Sequence, residues 1–85
     1  MIPTINAQVI SAAGTPLSEI VVTIAAGPGQ FPDIGLLTDE QGRFTLHDLV
    51  AGTYRLNFAG SSAVVQQSIH LTPDTTEIII RLEEF

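Results

Sequence analysis

The adjacent residues His47 and Asp48 are the first candidates for chemistry in this chain. With one of the chain's serines they provide the side-chain types of a hydrolytic triad. The chain, however, has no Gly-x-Ser-x-Gly turn to present a serine nucleophile, and neighbouring residues in a crossover loop need not orient each other. A solvated loop pair is the simpler interpretation. The sequence therefore predicts no catalytic residue and a protein that is not an enzyme.

A metal site is the second chemistry to consider. Carboxylates at Asp33, Asp39, Glu40 and Asp48 are ligands of the kind that calcium prefers, but the spacing of an EF-hand loop is absent. Asp39 is also expected to accept hydrogen bonds within its own turn. His70 is at an outward-facing position of its predicted strand, so we expect a surface histidine rather than a ligand. We expect no metal and no cofactor, with weak calcium binding left open at this stage.

The charge balance excludes some classes of partner. Nine acidic residues stand against only Arg43, Arg55 and Arg81 among the 85 residues, which gives a net charge of -6 with no lysine. Phosphate backbones and anionic membrane surfaces would repel such a chain, so nucleic acid is not an expected partner. The chain has no cysteine, so packing alone must hold its core without disulfides.

Targeting signals give little guidance on location. The first six residues lack the basic start and long apolar stretch of a signal peptide, and the aliphatic run Ile78-Ile79-Ile80 is too short to span a bilayer. We expect no membrane insertion. The chain is cytoplasmic as it stands, or extracytoplasmic if it was excised from a larger exported protein.

Alternation of apolar and polar residues at a period of two recurs through the chain and predicts strands separated by turns. Seven strands are expected: Thr4–Ile10, Glu19–Ala25, Leu36–Thr38, Arg43–Leu46, Thr53–Phe58, Ala63–Leu71 and Glu77–Leu82. The residues from His47 to Gly52 are expected to form a crossover. Because each sheet must cover an apolar face, the strands predict one domain over 1–85, an all-β, seven-stranded antiparallel Greek-key β-sandwich of the immunoglobulin-like kind.

The hairpin between the third and fourth strands is the clearest local signal. Asp39 can accept hydrogen bonds from the backbone of its own turn, and Gly42 can adopt the positive φ that closes it. Phe44 and Leu46 then alternate with polar residues, as a half-buried strand requires.

These residues also resemble a known family, the carboxypeptidase regulatory-like domain, a transthyretin-like or prealbumin-like β-sandwich related to collagen-adhesin B-type domains. The pattern Thr-Asp-x-x-Gly-x-Phe, then Leu and Gly-x-Tyr-x-Leu, is matched by Thr38, Asp39, Gly42, Phe44, Leu49, Gly52, Tyr54 and Leu56. The family's earlier pattern is similar to Ile5 to Val9, Gly14-Thr15-Pro16-Leu17 and Ile20 to Ile24. The resemblance covers nearly the whole chain and implies the fold given above.

The same resemblance implies a non-catalytic accessory of a peptidase, an outer-membrane receptor, an adhesin or a secretion-spike protein. Collagen-adhesin relatives form a Lys-Asn crosslink, which a chain without lysine cannot make. Hydroxyisourate hydrolases of the transthyretin family end in Tyr-Arg-Gly-Ser, whereas this chain ends Arg81-Leu82-Glu83-Glu84-Phe85. That activity is not supported.

Two surfaces are candidates for binding a protein partner. The loop from Gly27 to Gly35 contains Phe31, Pro32, Asp33 and Ile34, which form a stiff segment with apolar side chains suited to recognition. The alternative is that Phe31 folds back and caps the core. The second surface is an edge strand, with the seventh as a candidate, whose free backbone groups could pair with a partner's strand. The alternative is a solvent-exposed edge at which the charges of Glu77, Arg81 and Glu83 disfavour such pairing.

We therefore expect a non-catalytic module that mediates protein-protein interaction or scaffolding for a larger enzyme or assembly, such as a secretion or injection spike or a peptidase-associated adaptor. A carbohydrate- or cell-surface-binding accessory domain is the alternative, although only Phe31 offers an obvious stacking ring. A homodimer through edge strands is a further prediction.

Overall fold

The computed structural model describes residues 2–29, 35–60 and 63–83. Within them the chain forms seven strands: β1 (Ile2–Ser11), β2 (Val21–Ala26), β3 (Leu36–Leu37), β4 (Arg43–Leu49), β5 (Gly52–Ala59), β6 (Val64–Leu71) and β7 (Glu77–Leu82). They make a three-stranded sheet A in the order β4-β1-β7 and a four-stranded sheet B in the order β3-β2-β5-β6. The predicted all-β sandwich is confirmed.

The core lies between the two sheets. It consists of the inward-facing apolar side chains of both, which include all three of the residues predicted to point inward from β5. Tyr54, Leu56 and Phe58 are completely buried, and so are Val9, Leu71 and Leu82. Burying each such side chain stabilises the fold by about 1.5–3 kcal/mol, and this burial is what holds the sandwich together without disulfides.

One strand pair corrects the prediction that the sandwich is wholly antiparallel. β1 and β7 run parallel, with Asn6 opposite Glu77 and Ser11 opposite Leu82. β7 follows a connection from sheet B, so it can enter sheet A in either direction. The side-chain alternation that predicted β7 is the same for both directions, because only the ladder of backbone hydrogen bonds differs.

The predicted crossover from His47 to Gly52 is wrong in its first half. β4 continues through His47 and Asp48 to Leu49, and Leu49 is buried. Asp48 has a φ of 57°, a left-handed conformation that is uncommon for a residue other than glycine. This local distortion brings Leu49 to the core three positions after Leu46, instead of the two that regular alternation requires.

Candidate interaction surfaces

The loop between β2 and β3 carries the predicted partner-binding residues. Phe31, Pro32, Asp33 and Ile34 lie outside the described residues, so the structure neither supports nor contradicts their role. The loop's first and last residues are described, and both ends are fixed to the sandwich.

The first end of the loop packs against β5. Gly27 lies directly on the ring of Tyr54, and a Cβ at Gly27 would collide with ring atom Cδ2. The carbonyl of Pro28 accepts a hydrogen bond of 3.4 Å from the Tyr54 hydroxyl. A Cβ at Gly52 would lie 2.6 Å from Cγ of Pro28, so the backbone of β5 also approaches the loop closely. Glycine is needed at these positions because the loop and strand leave no room for a side chain.

Tyr54 anchors this corner through its hydroxyl as well as its ring. The hydroxyl donates a hydrogen bond of 2.7 Å to the carbonyl of Val50, four residues upstream. Burial raises the pKa of Tyr54 above its usual value of 10.0, so the hydroxyl stays protonated and remains a donor at neutral pH. A tyrosine hydroxyl bonded to backbone a few residues upstream is a recurrent corner of β-sandwiches.

The other end of the loop joins the outer face of sheet B. A Cβ at Gly35 would lie 3.0 Å from Cγ1 of Val21 on β2, and Leu36 pairs with Val22. The residues between Gly29 and Gly35 therefore span two points that are each held by the sheet.

An apolar row crosses the outer face of sheet B beside this loop. Leu37, Val21, Ala59 and Val64 lie directly opposite one another on four successive strands. Leu37 is 63% exposed, Val21 41% and Val64 70%. Sequence analysis missed this row because its members come from four separate segments, and only the strand register brings them together.

The outer face of sheet A has a different character. A concave groove of ≈ 520 Å³ lies along it, lined by the polar side chains of Asn6, Gln8, Arg43, Thr45 and Glu77 and by the exposed Ile79. Amides, a hydroxyl and charges of both signs are thus close together on one face.

The two histidines, His47 considered for catalysis and His70 considered as a ligand, do not come together, and Asp48 is an exposed residue next to His47 on β4. His47 lies on β4 in sheet A and His70 on β6 in sheet B, and both are exposed. Nδ1 of His47 lies 3.5 Å from Oγ1 of Thr4, and Nδ1 of His70 lies 3.0 Å from Oγ1 of Thr53. The outward direction predicted for His70 is confirmed, and each imidazole meets a neighbouring strand's threonine rather than a nucleophile held for attack.

Of the carboxylates considered as calcium ligands, Asp33 lies outside the described residues, and Asp39, Glu40 and Asp48 are not gathered into a site. Among residues 2–29, 35–60 and 63–83, no group of three or more histidine, aspartate or glutamate side chains is placed to hold a metal ion. Oδ1 of Asp39 instead accepts hydrogen bonds from the backbone N–H groups of Gln41 and Arg43, at 2.8 and 2.9 Å. The predicted turn role of Asp39 is confirmed. Within the same ranges, no helix has the length and apolar character needed to cross a membrane.

The chain is thus a small β-sandwich domain that carries an exposed apolar row on sheet B and a groove on sheet A. Residues 4–83 match the carboxypeptidase regulatory-like domain family, and the chain belongs to that family. Domains of this family are generally non-catalytic accessory modules, and no catalytic family is detected in the chain. The resemblance seen in the Thr-Asp-x-x-Gly-x-Phe hairpin and the strand after it is thereby confirmed. No curated protein matches the chain at a significant level.

Proposed function

We propose that this domain is a non-catalytic adaptor that docks a protein partner through the loop from Gly27 to Gly35, with Phe31, Pro32, Asp33 and Ile34 as the contact residues. It serves a larger enzyme or assembly, such as a secretion or injection spike or a peptidase. The observation that carries the proposal is the attachment of both loop ends to the sandwich, through Tyr54 and through Val21. Binding residues are often carried on loops whose ends a rigid scaffold positions, and this attachment supplies such a scaffold.

The apolar row on sheet B enlarges the proposed docking surface. Gly35, where the loop ends, lies directly against Val21 of that row. Leu37 follows two residues later and is 63% exposed. The row thus begins where the loop ends, and it offers hydrophobic contacts of the kind that protein interfaces use at their centres.

The test is capture of a partner from a lysate of the source organism by three proteins: the wild type, the double variant Phe31→Ala/Ile34→Ala, and Ile79→Ala. Ile79 is 70% exposed and lines the groove on sheet A, on the other sheet from the loop, so its truncation controls for loss of exposed apolar surface, and a partner lost only in Ile79→Ala would be assigned to the groove. We expect a partner that the wild type and the control retain and the double variant loses.

Urea unfolding of the same proteins separates this proposal from the alternative that the loop caps the core. A docking loop predicts that the double variant unfolds within about 0.5 kcal/mol of the wild type. A core cap predicts a loss of about 2–5 kcal/mol, because truncation would leave a cavity. A large loss of stability together with unchanged partner capture contradicts the proposal.

Carbohydrate binding is a second candidate, favoured by the groove on sheet A. Asn6, Thr45 and Glu77 provide the amide, hydroxyl and carboxylate groups that bind sugar hydroxyls. A glycan array should then give a signal that is lost in Glu77→Ala and retained in the loop double variant. An array without any signal from the wild type removes this candidate.

A further inference from the structure

β6 is an edge of sheet B without the features that protect the other edges. Among the described residues it has a neighbour, β5, on one side only, and the two strands pair without a bulge. Its eight residues, Val64–Leu71, include no proline and no aspartate, glutamate, lysine or arginine. Natural sheet edges are usually short, charged or distorted, because an open edge is a template for another strand.

The other three edges each carry such a protection. β3 has only two residues. β4 is distorted at Asp48, and β7 carries exposed charges at Glu77 and Arg81. β6 is therefore the edge most open to strand pairing in the part of the chain that the structure describes.

The register of β6 shows which of its backbone groups are available. At the hairpin the N–H of Gly60 donates to the carbonyl of Ala63, which makes Gly60 and Ala63 a hydrogen-bonded pair. Bonded and non-bonded pairs alternate along an antiparallel ladder. Four residues therefore direct their N–H and C=O groups away from β5, and they are the exposed ones: Val64, Gln66, Ser68 and His70.

We propose that β6 pairs with β6 of a second copy of this chain, antiparallel and centred on Gln67. In this register all four outward-directed residues find partners: Val64 lies opposite His70 of the second copy, and Gln66 opposite its Ser68. On the inner face Val65 meets Ile69 of the second copy, and Gln67 meets its own equivalent. The strand is self-complementary about a two-fold axis, as a symmetric dimer requires, and it joins two copies of sheet B into one sheet.

The response to salt distinguishes pairing of β6 with a second copy from pairing with a strand of a different, basic protein. The strand itself brings no charged pair into contact, but each copy carries a net charge of -6. Two copies therefore repel at long range, and added salt screens that repulsion. Self-association through β6 strengthens with salt, whereas docking of a basic partner strand weakens with salt. The proposal involves a different surface from the loop and does not depend on the proposed function.

The first test is sedimentation of the intact chain from about 5 to about 500 µM, since pairing through one strand edge is a small interface. We expect a dimer whose Kd falls when salt is raised. Ser68→Lys places a charge beside the edge and brings two lysines about 7–8 Å apart across the pair, so it should raise Kd at least about tenfold. Ser18→Lys, at an exposed loop residue, makes the same change in net charge and should leave Kd unchanged.

The second test fixes the register through cysteine crosslinking, for which this chain without cysteine is well suited. In the proposed pair the two copies of residue 67 form a non-bonded pair with Cα atoms about 4.5 Å apart, within disulfide range. Residues at position 65 are about 14 Å from each other. Under mild oxidation Gln67→Cys should form disulfide-linked dimers at least about tenfold faster than Val65→Cys.

Either of two results overturns the proposal. One is a chain that stays monomeric over the whole concentration range, with Gln67→Cys crosslinking no faster than Val65→Cys. The other is a dimer that Ser68→Lys leaves intact, which would assign self-association to another surface. Partner capture that fails in the loop double variant, with the dimer unchanged, bears on the proposed function alone.

Discussion

The side-chain oxygen of Thr38 accepts a hydrogen bond of 2.9 Å from the backbone N–H of Ile20. The same hydroxyl donates to the carbonyl of Leu17 at 2.8 Å, and the N–H of Thr38 donates to the carbonyl of Ile20 at 3.0 Å. Thr38 is buried, so these groups are out of reach of water. Glu19, which lies between the two partners, has a φ of 57°. Thr38 thus fixes the irregular segment that precedes β2 to the end of β3.

We expect Thr38→Val to destabilise the fold by about 1–3 kcal/mol, since it leaves the buried N–H of Ile20 and the partly buried carbonyl of Leu17 without partners. Thr38→Ser keeps the hydroxyl and loses one methyl group, so its cost should be smaller, about 1 kcal/mol. Urea unfolding at neutral pH measures both. A valine variant as stable as the wild type, with a serine variant that is less stable, would show that the methyl contact and not the hydrogen bonds matters at this position.

Tyr54→Phe tests the corner that holds the loop. The variant keeps the ring against Gly27 but leaves the carbonyl of Val50 without its donor, and we expect a loss of about 1–3 kcal/mol in the free energy of unfolding. Because the folded-state pKa of Tyr54 is raised, its contribution is complete below about pH 10 and declines as the pH rises through the folded-state pKa. The wild type should therefore lose more stability than the variant at alkaline pH. If the free energies of unfolding of the wild type and of Tyr54→Phe change by the same amount at alkaline pH, the Tyr54 hydroxyl is not the source of this pH dependence.

Most of the fold could be predicted from the sequence because burial imposes a period of two on a strand. The inward residues of β5 follow from that period and are confirmed. The Asp39–Gly42 hairpin follows instead from its turn residues, the acceptor at Asp39 and the glycine at position 42, and is also confirmed. The end of β4 was not, since Asp48 breaks the alternation through its backbone conformation. The parallel pairing of β1 and β7 was not predicted either, because the alternation of side chains along each strand is the same in a parallel and an antiparallel pair.

The candidate surfaces were less predictable because they depend on register between distant segments. The apolar row joins Val21 to Leu37 and Val64, which no local pattern connects. The hydroxyl contacts of Thr38 are non-local in the same way. A signal for the β6 edge was present, since Val64–Leu71 is a strand-length segment without a charged residue.

Gly42→Ala should be among the most damaging single changes in the hairpin. Gly42 has a φ of 73°, and a Cβ there would collide with the carbonyl oxygen of Val9 on the backbone of β1. Gly14 is the matched control, because its φ is 87° and a Cβ there would meet nothing within 4 Å. We expect Gly14→Ala to cost about 1–2 kcal/mol from backbone strain alone. Gly42→Ala should exceed this by at least about 2 kcal/mol, since backbone must move. Equal losses in thermal or urea unfolding would contradict the packing argument.

The carboxylate of Asp39 makes the stability of the hairpin sensitive to acid. Hydrogen bonds from the backbone N–H groups of Arg43 and Gln41 hold the pKa of Asp39 below its usual value of 3.8. A pKa that is lower in the folded state means that folding favours the charged form, so this contribution is present above about pH 4 and is lost as the pH falls through the folded-state pKa. We expect Asp39→Ala to be less stable than the wild type at neutral pH, with a difference that narrows below pH 3.8.

Two further variants separate the charge of Asp39 from its hydrogen bonds. Asp39→Asn keeps an acceptor oxygen for the N–H groups of Gln41 and Arg43, so it should retain part of the stability and lose the acid dependence. Glu40→Gln removes one negative charge from the next residue and controls for the change in net charge. Across the acid range, the stability difference from the wild type should fall for both Asp39→Ala and Asp39→Asn, which lack the carboxylate, and should not follow this titration for Glu40→Gln. If the wild type and Asp39→Ala differ by the same amount at every pH, the carboxylate is not what couples this turn to protonation.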